Sequence, residues 1–163
     1  MKKLKKILLL LLVCITLGAL TGCGEKNVEG KLSDLMASIY ADVYTDIPEE
    51  ERPMLGNINV LEEVPDNIEY YIGTKDIDYE EIYVTEPMMG SIAHSVVLVR
   101  MKDGANIEEA KKEIKNTVDP RKWICVEVPA DDVIVKSRGD LIILIMVADE
   151  TTRTRIEKGF DNL

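Results

Sequence analysis

The sequence predicts an α+β domain: a largely antiparallel sheet of about five strands with packed helices, preceded by an amphipathic amino-terminal helix. Three observations carry that expectation. Apolar residues recur at spacings of three and four from Val28 to Val43, from Ile107 to Val118 and again near the carboxyl terminus. Short apolar, β-branched runs separated by turn residues fill the second half. Several of these runs follow one another with only a short turn between them, which favours antiparallel neighbours.

In order, Val28, Leu32, Leu35, Met36, Ile39, Tyr40 and Val43 predict a helix over Val28 to Tyr44, with Pro48 beyond its end. The stretch from Asp46 to Asp78, with Pro48, Pro53 and Pro65, predicts short helical turns and loops. Glu81 to Thr85 and Ile92 to Met101 read as strands on either side of Glu86-Pro87-Met88-Met89-Gly90. Asn106 can cap the next helix, with Glu109 as its capping-box partner. Ile107, Ala110, Ile114 and Val118 form that helix's inward stripe, and Asp119-Pro120 ends it. Trp123 to Val128 reads as a strand. Asp132 to Lys136 and Leu141 to Val147 read as a hairpin around Ser137-Arg138-Gly139-Asp140. Asp149 or Thr151 starts a final helix that turns Ile156 and Phe160 inward.

Leu141 to Val147 is apolar at every position, and Val96-Val97-Leu98-Val99 does not alternate either. Such strands are buried on both faces. The helices after Asn106 and Asp149 are expected to cover one face. The other falls to the amino-terminal helix, the acidic segment or a second molecule.

The amino terminus is of a different kind. Lys2, Lys3, Lys5 and Lys6 precede an apolar run from Ile7 to Ala19. That is the layout of an export signal, and the run is too short for a spanning helix. Leu20-Thr21-Gly22-Cys23 resembles the lipobox of bacterial lipoproteins. The resemblance implies lipidation of the Cys23 thiol, cleavage after Gly22 and a diacylglyceryl-modified amino-terminal residue. Residues 1–22 are then a removed signal peptide, 23–27 a lipidated terminus with a short tether, and 28–163 a single domain. Localisation follows as a lipid-anchored protein on the outer face of the cell membrane. Two acyl chains anchor stably where one does not.

Without the signal lysines, 30 acidic residues face 16 basic ones, a net charge of −14. Asp42 to Glu86 holds 14 acidic residues against Arg52 and Lys75. A domain this acidic lacks the basic footprint that nucleic acid requires. With Cys14 removed and Cys23 lipidated, Cys125 is the one remaining thiol, so no intramolecular disulfide forms.

The run Glu86-Pro87-Met88-Met89, Ala93-His94-Ser95-Val96-Val97-Leu98-Val99-Arg100-Met101-Lys102-Asp103-Gly104 and Asp119-Pro120-Arg121-Lys122-Trp123 resembles a family of small Gram-positive lipoproteins, a domain of unknown function. The resemblance covers about Leu32 to Val147. It implies localisation and fold and brings no catalytic residue with it.

Candidate chemistry is sparse. His94, the one histidine, shares a strand face with Ile92, Val96 and Leu98 and reads as a buried histidine bonded to backbone. The alternative makes it a base for Cys125. Cys125 reads as a small core hydrophobe on the strand from Trp123 to Val128, or as a nucleophile if His94 lies beside it. Asp76, Asp78 and Glu80 resemble the start of a calcium loop that then fails, with Glu81 at the glycine position and Pro87 at the closing glutamate. Tyr70, Tyr71, Tyr79 and Tyr83 lie among these acids. Lys111, Lys112, Lys115, Arg121 and Lys122 form a basic cluster expected on the exposed side of a helix. No phosphate loop, zinc spacing, serine elbow or nucleotide fingerprint is present, so no metal and no cofactor is expected. Three functions stay open: a non-catalytic binding or accessory module for an envelope protein, basic peptide or cations; a thiol enzyme using Cys125 with His94; and a self-assembling envelope protein that forms homo-oligomers through its apolar sheet.

Overall fold

The computed structural model describes residues 26–163. The expected signal peptide, with Gly22 and Cys23, lies outside the described residues. The elements are α1 (Leu32–Tyr40), a 3-10 turn (Glu49–Glu51), β1 (Leu55–Asn59), α2 (Val60–Glu63), a 3-10 turn (Pro65–Asn67), α3 (Ile68–Ile72), β2 (Tyr79–Pro87), β3 (His94–Met101), α4 (Ile107–Thr117), a 3-10 turn (Ala130–Asp132), β4 (Ile134–Arg138), β5 (Leu141–Val147) and α5 (Glu150–Asp161). The fold is α+β, with one five-stranded sheet in the order β1-β2-β3-β5-β4. Every neighbouring pair is antiparallel. β3 and β4 therefore run in the same direction with β5 between them, and α4 makes the crossover.

Local signals place α4, α5 and the β4–β5 hairpin close to where they are expected, with β4 over Ile134–Arg138 in place of Asp132 to Lys136. Asn106 Oδ1 accepts from the Glu109 amide at 3.2 Å and Asp149 Oδ1 from the Thr152 amide at 2.7 Å, so both caps form. The β4–β5 hairpin turns at Gly139, whose φ of 55° suits glycine.

Two strands differ from expectation, although the total of five holds. Trp123 to Val128 is not a strand. The Ile124 amide donates to the Gly90 carbonyl at 2.8 Å and the Val128 amide to Pro120 at 2.9 Å, so the segment closes loops instead of joining a ladder. Cys125 takes a φ of 61°. The fifth strand is β1, within the acidic stretch expected to be irregular. Leu55-Gly56-Asn57-Ile58-Asn59 has poor strand propensity, and it is a strand because β2 offers it an edge, with Gly56 opposite Glu86 and Ile58 opposite Val84.

The first helix also starts four residues later than expected. Arg100 and Asp140 form a largely buried ion pair at 2.6 Å. This pair claims the backbone that a helix over 28–31 would need. The Val28 amide donates to Asp140 Oδ1 at 2.9 Å, Arg100 donates to the Val28 carbonyl at 2.8 Å and to the Gly30 carbonyl at 2.7 Å. Gly30, at φ 111°, then turns the chain into α1.

Both sheet faces are covered by the chain itself. One face carries Val97, Val99, Ile142, Leu144 and Met146 against α2, α3 and α4. The other carries Val96, Leu98, Leu141, Ile143, Ile145 and Val147 against α1 and α5. The two later helices thus lie on opposite faces, not on one. α4 is committed by the crossover to the first face, while the Ala148-Asp149 turn sends α5 to the second, beside α1. Among the described residues neither face of the sheet is left uncovered.

α1 and α5 cross closely at Gly159, where an added Cβ would lie 2.4 Å from the Ile39 carbonyl oxygen. Gly159→Ala should therefore destabilise the fold by about 1–3 kcal/mol through overpacking. Helix propensity alone would give a gain of up to about 1 kcal/mol. The sign of the shift in a urea midpoint decides between them.

The sheet has two distinct ends. At one, the β4–β5 turn receives the amino-terminal segment: the Lys26 carbonyl packs against Gly139, and Val28 is held by Asp140. At the other lies the β2–β3 connection, residues 88–93. β3 joins the two ends, and eight residues at about 3.4 Å each separate them by about 27 Å.

Candidate functional site

His94 opens β3 and is 3% exposed, on the α1 side of the sheet. Its Nε2 lies 2.7 Å from the Tyr40 hydroxyl. The ring is thus bonded to a side chain, not to backbone as expected. Burial pushes its pKa down to about 4, so the neutral imidazole is the resident form. Burial also raises the Tyr40 pKa. A cleft of about 350 Å³ lies beside the pair, lined by Tyr44, Ile47, Pro53, Ile92 and Asp149 among others. The Tyr44 hydroxyl is buried there without a partner among the described residues.

Cys125 is exposed, which corrects the expected core position. Its loop is anchored through Trp123 and Val128, which pack on the α4 side of the sheet. His94 points to the other side, where Tyr40 occupies its Nε2. The geometry does not bring the two together. Asp76, Asp78 and Glu80 are all exposed, the first two in the loop before β2 and Glu80 within the strand. Among the described residues no group of three potential ligands could hold a metal ion.

The basic cluster is divided by the fold. Lys111 donates to Ser137 at 3.1 Å, and Lys115 donates to the Ala130 carbonyl at 2.9 Å and the Val133 carbonyl at 2.5 Å, tying α4 to β4 and the segment leading into it. Lys122 corrects the expectation outright. Its side chain is 4% exposed and forms an ion pair with Glu86. Its Nζ also lies 3.2 Å from Ser95 Oγ and 3.5 Å from the Tyr70 carbonyl. The rings of Tyr70, Tyr71 and Trp123 surround it, with centroids at 4.4, 5.3 and 5.5 Å. Burial lowers its pKa, and the Glu86 carboxylate opposes that shift. A lysine within reach of a serine hydroxyl is the outline of a catalytic dyad, but Ser95 is completely buried and Glu86 holds the ammonium. The group is an internal strut joining the loop after α4 to β2 and β3. It also fixes where the Ile124-Cys125 loop sits.

That loop completes an exposed apolar surface. Met54, Tyr70, Met88, Met89 and Ile124 are the large exposed hydrophobic residues among those described, at 47–77% exposure. They gather at the end of the sheet away from the amino-terminal segment. The Met88 amide donates to the Met54 carbonyl at 3.1 Å, and Ile124 rests on Gly90, its amide bonded to the Gly90 carbonyl. Tyr70 stands over Lys122, whose partner Glu86 is two residues from Met88. The sequence carried one signal for this surface: Pro87-Met88-Met89-Gly90 puts two methionines at a turn, where polar residues are usual. Ile124 gave none, because it read as part of a strand from Trp123 to Val128.

No protein-family model matches the chain, and comparison with curated proteins and with solved structures finds no similar protein.

Proposed function

We propose that this protein is a non-catalytic binding or accessory module, anchored by lipid on Cys23 outside the cytoplasmic membrane. The carrying observation is the sequence from Lys2 to Cys23: basic residues, a 13-residue apolar run and Leu20-Thr21-Gly22-Cys23. The domain geometry suits it. Packing begins at Lys26 beside Gly139, so only about 10 Å of chain separates Cys23 from the fold. The β4–β5 turn then faces the lipid and the apolar end faces away. Two further observations support a binding role over catalysis: the candidate catalytic residues His94 and Cys125 stand apart, and the apolar end is built for contact.

The test is incorporation of labelled palmitate in the native host. The wild-type chain should carry label and remain with the membrane fraction, while Cys23→Ala should carry none. An unlabelled wild-type chain released into the medium would overturn the reading.

A further inference from the structure

We propose that the apolar end formed by Met54, Met88, Met89, Ile124 and Tyr70 docks a segment of another protein whose apolar side chains are flanked by lysine or arginine. This rests on the reading of the chain as a binding module and names the partner's chemistry. Large exposed apolar side chains gathered at one end of a domain that covers both faces of its own sheet mark a contact site. Methionine is unbranched and polarisable, so three of them make a surface that adapts to varied side chains.

Charge selects among the possible occupants. The rim bears Glu49, Glu50 and Glu51, all exposed, in the turn that leads to Met54. Ile47 and Pro53, on either side of that turn, line one cleft with Ile92 and Ala93 from the β2–β3 connection, which fixes the three acids at this end. Of the nearby cations, Lys122 is buried on Glu86, Arg52 turns its guanidinium to the Ile47 carbonyl at 2.9 Å, and the exposed Arg121 lies 3.7 Å from the Asp119 carboxylate. A second copy docked about a two-fold axis would set this acidic rim against itself. An anionic membrane would be repelled by it, and the chain's own membrane lies at the opposite end. A basic-flanked apolar segment satisfies both the patch and its rim.

The test uses the full chain in zwitterionic lipid nanodiscs, labelled with ¹³C at its methionine methyls. The probe is an amphipathic peptide of leucine and lysine, with a leucine–glutamate peptide of the same pattern as control. Met54, Met88 and Met89 resonances should shift with the first peptide, while the buried Met36, Met101 and Met146 stay in place. Met88→Glu with Met89→Glu should weaken binding at least about tenfold. Reversal of Glu49, Glu50 and Glu51 to lysine should weaken it about fivefold, and reversal of Asp76, Asp78 and Glu80 should leave it within about twofold. Equal binding of the leucine–glutamate peptide would overturn the proposal, as would the absence of any shift. Shifts that follow protein concentration alone would assign the surface to a second copy, and shifts caused by phosphatidylglycerol vesicles would assign it to lipid; either overturns it. The palmitate experiment reads Cys23 and this one reads the methionines, so each can fail without the other.

Discussion

Replacing Lys122 with methionine should lower the stability of the fold by about 3–5 kcal/mol, the cost of leaving a buried carboxylate without its partner. The Lys122 ammonium and the Glu86 carboxylate pair inside the protein, with side-chain exposures of 4% and 12%. Removing the cation leaves the Glu86 carboxylate near Tyr70 and Tyr71 with little water to turn to. An exposed lysine lost from a helix surface would cost no more than about 1 kcal/mol. Urea unfolding separates these outcomes clearly, because domains of this size are stable by only about 5–15 kcal/mol. The double variant Lys122→Met with Glu86→Leu should recover most of the loss, since the desolvation cost of both ions vanishes together. A Lys122→Met midpoint close to wild type would show that the strut is not holding the loop. The loop carries Ile124, so the same variant should also disturb the apolar end, read as changes at the Met88 and Met89 methyls.

Acidification should weaken the fold before its carboxylates titrate. In the unfolded chain His94 takes up a proton near pH 6.5; in the folded protein burial holds its pKa near 4. Between those values the unfolded state binds more protons, so stability rises with pH and falls as pH drops. The full difference corresponds to an upper limit of about 3 kcal/mol, of which about 2 is lost between pH 6.5 and 5. The groups around the ring do not offset this: Tyr40 and Tyr44 stay neutral, their pKa values raised by burial, in the second case to about 12. His94→Gln keeps a side chain that can accept from or donate to the Tyr40 hydroxyl and removes the titration. Its stability should be flat from pH 6.5 to 5, where the wild type slopes. As this chain has one histidine, parallel slopes in both proteins would refute the assignment.

The sequence alone determined the elements whose causes are local. β5 is apolar at all seven positions, short and bounded by a turn, which reads as a strand buried on both faces, and it is one. α4 and α5 begin at Asn106 and Asp149 because each cap bonds an amide three residues away. The acidity of the chain and the character of residues 1–23 are likewise written in residue order. Tertiary structure decided whatever depends on partners far along the chain. Residues 28–31 have helical spacing, yet Arg100 and Asp140 take their backbone groups. Leu55–Asn59 has little strand character, yet the free edge of β2 makes it one. Trp123–Val128 alternates like a strand, yet its amides close loops on Gly90 and Pro120. Lys122 belongs by sequence to a surface cluster and is buried because Glu86 and Ser95 stand 36 and 27 residues away in sequence and beside it in space. The apolar end is of the same kind: four separate segments supply its five side chains. Short-range periodicity and capping report how a segment folds by itself, while charge pairing and exposure are set by what the finished sheet places next to it.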